Sequence, residues 1–209
     1  MTDPSPRPGA RSLGAWVAGL CEELGPRLSP AAGGQVLDVR RRLGEPLADG
    51  SALVDALVGR RGVPSGVPAD DLDDAVKAGW ALASLELIAG RAALPGDREL
   101  LHDALDRLLQ RPEAHRLRVV QVARLVAAGE VELPEQMAGE LLRLALSDDP
   151  AWVLDLPGAG RDQLAVAAQQ AAVRWRDYAR DGAAPPQARA ALVAHRGLYV
   201  LLQRLRGAR

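Results

Sequence analysis

The sequence predicts an all-α protein, an elongated antiparallel helical bundle. Apolar residues make up 48% of the 209 residues, enough for a substantial core. Aromatic residues contribute only 3%, so this core consists mostly of Leu, Ala and Val, of which Leu and Ala especially suit helices. Apolar residues recur at three- and four-residue spacing, and no clear segment alternates apolar and polar residues as a half-buried strand does.

Two helices are expected at the start of the chain. The first covers Leu13–Leu24, where apolar residues mark one helical face, and Gly25 with the following proline ends it. The second begins at Ser29, a capping hydroxyl followed by proline at the first helical position, and continues through Leu43. We expect the first helix to pack against the C-terminal part of the chain, with Trp16 buried.

Five more helical segments are expected in the middle of the chain. A third helix covers 52–60, and a fourth begins at the acidic cluster 70–74. We interpret these carboxylates as favourable charges at the positive end of a helix dipole, because they lack the spread of ligands of a calcium loop. Three further helices cover 97–111, 114–128 and 134–144, and prolines or glycines separate them.

The last two helices are the longest and are expected to form an antiparallel hairpin. Their apolar residues alternate steps of four and three over 164–178 and 188–205, on either side of the polar turn 181–186. The chain therefore divides into a disordered tail (1–11), a helical bundle (12–146) and a C-terminal hairpin (147–209) that packs on the same bundle.

Composition excludes several classes of protein. The net charge of −1, without an arginine-rich face interleaved with aromatics, does not favour nucleic-acid binding. Cys21 is the only cysteine, which excludes an intramolecular disulfide and a cysteine metal cluster. The first ten residues lack the apolar run of a secretory signal, and the longest nearly apolar stretch, 78–90, is too short to span a bilayer. We expect a cytoplasmic protein without a transmembrane segment.

No catalytic constellation is recognisable. A P-loop needs glycines and a Lys followed by Ser or Thr, whereas the only lysine, Lys77, has neither. We therefore predict no nucleotide binding, no metal and no cofactor. An alternative function remains, a helical ligand-binding or enzymatic domain. Its pocket would be lined by Trp175, Tyr178, His195 and Tyr199.

Residues 74–206 resemble the C-terminal helical region of actinobacterial dynamin-like GTPases, and residues 13–47 resemble the helices that precede the GTPase domain in that family. The resembling phrases are Ala75-Val76-Lys77-Ala78-Gly79-Trp80-Ala81-Leu82-Ala83-Ser84-Leu85-Glu86, His115-Arg116-Leu117-Arg118, Leu125-Val126-Ala127-Ala128-Gly129-Glu130-Val131-Glu132-Leu133-Pro134-Glu135 and Ala172-Val173-Arg174-Trp175-Arg176-Asp177-Tyr178. In such proteins the helices on both sides of the GTPase domain form a bundle that links nucleotide state to self-assembly, often on membranes.

This resemblance implies a dynamin-like bundle without its GTPase domain, with the turn 49–51 in that domain's place. Residues 53–60 resemble either the helix after a P-loop or, as we prefer, the first bundle helix after the missing domain. The implied function is a non-enzymatic scaffold or assembly regulator that binds itself or a full-length dynamin-like GTPase; peripheral membrane contact stays open.

Residues 152–205 also have the helix spacing of a J-domain. Such domains stimulate their chaperone partner through a His-Pro-Asp tripeptide. Here the turn contains Arg180-Asp181-Gly182 instead, so we infer no co-chaperone activity.

Overall fold

The computed structural model describes residues 12–45, 54–55, 66–67, 69–111 and 114–207. Within these ranges the chain is helical and contains no strand, which confirms the predicted all-α class. The helices are α1 (Leu13–Leu24), α2 (Pro30–Leu43), α3 (Ala69–Arg91), α4 (Pro95–Gln110), α5 (His115–Ala127), α6 (Glu135–Leu146), α7 (Pro150–Val153), α8 (Arg161–Arg180) and α9 (Pro185–Gly207). The predicted tail 1–11 and turn 49–51 lie outside the described residues, as does the predicted helix 52–60 except for residues 54–55, which are helical.

Serine hydroxyls cap the first two helices, and the cap at Ser29 lies where the sequence predicts it. Ser12 Oγ accepts a hydrogen bond from the Ala15 N–H at 3.1 Å at the start of α1. The Ser29 hydroxyl caps α2 in the same way, with proline in the first turn. Ser29 itself is held by the buried carboxylate of Asp97, which accepts from the Ser29 N–H at 3.0 Å and from its hydroxyl. The α2 cap is therefore fixed to the start of α4.

One continuous hydrophobic core joins residues from both halves of the chain. Helices α1, α2 and α3 pack against one another, and α4 packs on α3 and α1. Helix α5 contacts α3, α4, α6 and α9, so it connects the N-terminal helices with the C-terminal pair. The principal neighbours of α1 are thus α2, α3 and α4 rather than the last helices. Trp16 is half-buried, because it lies at the rim of the α1–α4 contact, and the expectation of a buried Trp16 was wrong.

The acidic cluster at the start of α3 serves several partners. Asp70 and Asp71 lie in the first turn, as the dipole interpretation requires. Asp71 also accepts a hydrogen bond from the Ser147 hydroxyl at 2.7 Å, which ties α3 to the loop after α6. Asp73 pairs with Lys77 one turn later at 2.8 Å. The sequence pattern explains Asp71 only as a favourable charge at the start of its own helix, whereas in the structure it also makes a contact with another part of the chain.

Close backbone approach fixes α9 against α5 and α6. A Cβ atom added at Gly197 would lie 2.7 Å from Leu144 Cδ2 and 3.3 Å from Val119 Cγ2, so glycine permits this packing. A ring N–H of His115, at Nε2, donates to the Val193 carbonyl at 3.1 Å and links the start of α5 to α9. None of the described helices is both long and apolar enough to cross a membrane.

Candidate functional site: the outer face of the C-terminal hairpin

Helices α8 and α9 run antiparallel, with a short turn between them. The Arg161 side chain at the start of α8 donates to the Leu205 carbonyl near the end of α9. Near the middle of α8, the Ala172 carbonyl accepts a hydrogen bond from His195 Nδ1 at 2.9 Å. These two hydrogen bonds show that α8 and α9 lie side by side in opposite directions, from the start of α8 to its middle.

The inner face of α8 is made mostly of alanine. Small side chains allow α8 to approach α9 closely, and the larger Leu164 and Trp175 fill the two ends of this face. Trp175 is only 1% exposed. Its Nε1 donates to Glu140 Oε2 at 2.9 Å, and the other Glu140 oxygen accepts from Arg174. Glu140 thereby attaches α8 to α6, and it satisfies the one polar atom of the buried indole.

The four predicted pocket residues all lie on this hairpin but differ in exposure. Trp175 is buried, whereas Tyr178 and His195 are half-buried. Tyr199 is 51% exposed on the outside of α9. The polar atoms of Trp175 and His195 described above contact Glu140 and a backbone carbonyl. A ligand site at these residues stays a prediction.

Three cavities in the described structure are lined by other residues. The one nearest to the predicted pocket has a volume of about 130 Å³ and lies between α6, α7, α8 and α9, where Glu140, Ala171 and Leu198 line it. A second, of about 240 Å³, lies between α1 and α4. Its walls include Trp16 and Arg111, whose guanidinium carbon lies 5.9 Å from the centre of the indole ring.

The third cavity, about 30 Å³, has room for little more than water and lies at a polar junction of α5, α9 and the loop after α6. Asp148 bridges Arg116 at 3.2 Å and Arg204 at 3.0 Å. Burial disfavours the charged form of Asp148, but the two guanidinium groups outweigh it, so the pKa of this carboxyl is lowered. Arg116 Nε also donates to the Ala145 carbonyl at 3.1 Å, while its Nη2 is buried without a hydrogen-bond partner.

Each helix of the hairpin exposes a row of large apolar side chains on its outer side. Val166 and Val173 on α8 are 57% and 39% exposed, and Leu192 and Tyr199 on α9 are each 51% exposed. Within each helix the two positions are seven residues apart, so they lie on the same side two turns apart. The other strongly exposed large apolar residues in the described ranges lie on separate elements: Leu37, Leu87, Leu94 and Leu156.

Sequence reasoning followed the core stripes of α8 and α9 and missed Val166, Val173 and Leu192. The available signal was a second apolar repeat of seven residues opposite each core stripe. Charged residues border the α8 row: Asp162 lies near its start, and Arg176 and Arg180 lie near its end, with all three exposed. The outer face of α8 therefore combines an apolar centre with opposite charges at its two ends.

No group of His, Cys, Asp or Glu within the described ranges is arranged to hold a metal ion. Comparison of the chain with protein-family models, with curated proteins and with solved structures gives no match in any of the three.

Proposed function

We propose that this chain is a non-enzymatic interaction module, a dynamin-like helical bundle without a GTPase domain, which acts as a scaffold or assembly regulator. The observation that carries the proposal is the set of large apolar side chains exposed on the C-terminal hairpin, Val166 and Val173 on α8 and Leu192 and Tyr199 on α9. Exposed apolar side chains beside charged residues are typical of protein interaction sites. The hairpin is held to the bundle by α5, α6 and Glu140, so a partner bound there would be rigidly connected to the core.

The arrangement of the N-terminal helices supports the dynamin-like part of the proposal. Helices α1 and α2, which precede residues 46–65, pack against α3, which follows them. The resemblance implies such pairing, because the helices before and after the GTPase domain combine into one bundle in that family. An elongated antiparallel bundle in the cytoplasm, with peripheral membrane contact left open, belongs to the same proposal.

The proposed module does not bind or hydrolyse nucleotide. Lys77, the only lysine of the chain, pairs with Asp73 at 2.8 Å and has no following Ser or Thr. It cannot supply the ammonium of a P-loop without leaving this pair. Calorimetric titration with GTP and Mg²⁺ should give no heat of binding, and a micromolar dissociation constant would contradict the proposal.

The interaction itself is tested with a full-length dynamin-like GTPase from the same cell. Analytical ultracentrifugation of the mixture should show a complex, and addition of the chain should change the assembly of the GTPase. Leu192→Arg on the outer face should weaken this complex at least tenfold, whereas Leu87→Arg, which alters an equally exposed leucine on α3, should leave it unchanged. Two independent species at tens of micromolar, with unaltered GTPase assembly, would count against the proposed regulator.

A further inference from the structure

We infer that the outer face of α8 is a self-association surface, which pairs antiparallel with α8 of a second copy of this chain around a twofold axis near Gln169. This inference rests on the proposed interaction function and names its partner and contact surface. Helix α8 is suited to this role because α9 covers its inner side and α6 holds it through Glu140, while the side that carries Val166 and Val173 has no covering helix in the described structure.

The apolar positions fit an antiparallel copy. Val166 and Val173 are equally distant from the midpoint between Gln169 and Gln170. A twofold axis through that midpoint reverses the second helix, so Val166 of each copy meets Val173 of the other. Both apolar contacts then form at once, which is the self-complementarity required of an interface between identical surfaces.

The charges fit the same arrangement. With 100° of rotation per residue, Asp162, Arg176 and Arg180 project from the same side of the valine row. In the structure Arg176 pairs with the neighbouring Asp177 at 3.2 Å, with both side chains about half exposed, so Arg176 can be shared with a carboxylate of a second copy, and Arg180 lies one turn further on. The twofold operation keeps these sides together, so Asp162 of one copy lies beside Arg176 and Arg180 of the other. A parallel pairing would instead place each arginine beside its own equivalent. Charge therefore selects the antiparallel orientation.

The size of the surface predicts a weak dimer. Helix α8 has 20 residues and is therefore about 30 Å long. A single helix pair of this length buries less than the roughly 1,200–2,000 Å² of stable interfaces. We expect a dissociation constant in the tens of micromolar.

Sedimentation equilibrium of the chain alone tests the inference. The wild type should change from monomer to dimer with rising concentration, and Val173→Arg should raise the dissociation constant at least tenfold. Leu87→Arg on α3 is the matched control and should not alter it. Equal weakening by both variants, or a wild type that stays monomeric at several hundred micromolar, would overturn the inference.

A charge exchange tests the orientation. Asp162→Arg alone should weaken the dimer, and the same chain with Arg176→Asp and Arg180→Asp added should recover it, because each new arginine then meets two carboxylates of the other copy. Failure to recover would contradict the antiparallel pairing.

Gln169→Cys provides a second readout close to the axis. Mild oxidation should link two copies through this position, while Leu87→Cys should stay monomeric; Cys21 is fully buried and contributes no background. Absence of the covalent dimer would again overturn the inference. A chain that is monomeric alone but still binds the GTPase would refute self-association and leave the proposed function standing.

Discussion

Asp74 on α3 accepts a hydrogen bond from the backbone N–H of Leu13, the first residue of α1, at 2.7 Å. Its second oxygen accepts from the Gly14 N–H at 2.9 Å. The first amides of a helix have no partner within the helix, and a carboxylate at that position also interacts favourably with the helix dipole. A residue 61 positions away thus completes the cap that Ser12 begins.

Asp74→Ala should destabilise the protein by about 1–2 kcal/mol, because two partly buried backbone amides lose their acceptor. Urea unfolding followed by circular dichroism measures the change. Asp73→Ala is the matched control: its carboxylate, 54% exposed, makes only a surface ion pair with Lys77, and its loss should cost less than about 1 kcal/mol. Equal losses for the two variants would contradict a capping role for Asp74.

Adjacent glycines in α2 should respond oppositely to alanine. A Cβ added at Gly33 would lie 2.4 Å from the backbone carbonyl oxygen of Gly25, whereas one added at Gly34 meets nothing within 4 Å. Gly33→Ala must therefore displace the turn between α1 and α2 and should destabilise by about 1–3 kcal/mol. Gly34→Ala should stabilise by about 0.5–1 kcal/mol, because alanine favours the helix. Thermal unfolding of both variants measures these changes. A stabilised Gly33→Ala would contradict the close approach of Gly33 to the Gly25 carbonyl.

The helices were predicted well because the sequence signals that begin and end a helix lie within a few residues of its ends. Leu13–Leu24 appears as expected, and the Ser29 cap and the hairpin turn occupy the predicted positions. Tertiary caps were not predictable, because nothing near Asp74 in sequence indicates that it faces the start of α1. The half-burial of Trp16 was not predictable for a similar reason. Periodicity shows which side of a helix faces the core, but it does not show how much of that side the neighbouring helix covers.

Little of the candidate site could be predicted from the sequence. Tyr199 was selected as a residue lining a ligand pocket, which stays a prediction, and its side chain is 51% exposed on α9. His195 lies on an apolar stripe, and its Nδ1 forms a hydrogen bond with the Ala172 carbonyl, as expected of a histidine at the edge of the core. Val166 and Val173 were not selected, because a valine in an amphipathic helix is assigned to the core unless the neighbouring helices are known.

Asp148→Asn should destabilise more than Arg204→Ala. Arg116 has a side chain only 13% exposed and already contains an unpartnered Nη2, so loss of the carboxylate leaves a buried charge uncompensated. We expect a cost of about 2–4 kcal/mol for Asp148→Asn. Arg204 is 53% exposed, and its removal should cost less than about 1 kcal/mol. Urea unfolding at neutral pH compares the two, and a larger loss for Arg204→Ala would contradict this assignment.

The pH dependence of stability should report on His115. Burial lowers the pKa of this imidazole, and the positive charges of Arg196 and Arg118 act in the same direction, against the hydrogen bond to the Val193 carbonyl. Because the unfolded state then binds a proton more readily than the folded state, stability is lost as the pH falls below the unfolded pKa of about 6.5. The loss continues until the lower folded pKa is reached.

His115→Gln keeps an N–H donor for the Val193 carbonyl but removes this titration. Between about pH 7 and pH 5 the wild type should lose more free energy of unfolding than the variant, by about 1.4 kcal/mol for each unit that separates the folded and unfolded pKa values. Urea unfolding at several pH values measures the slopes. Identical slopes for the wild type and the variant would show that His115 does not carry the pH dependence.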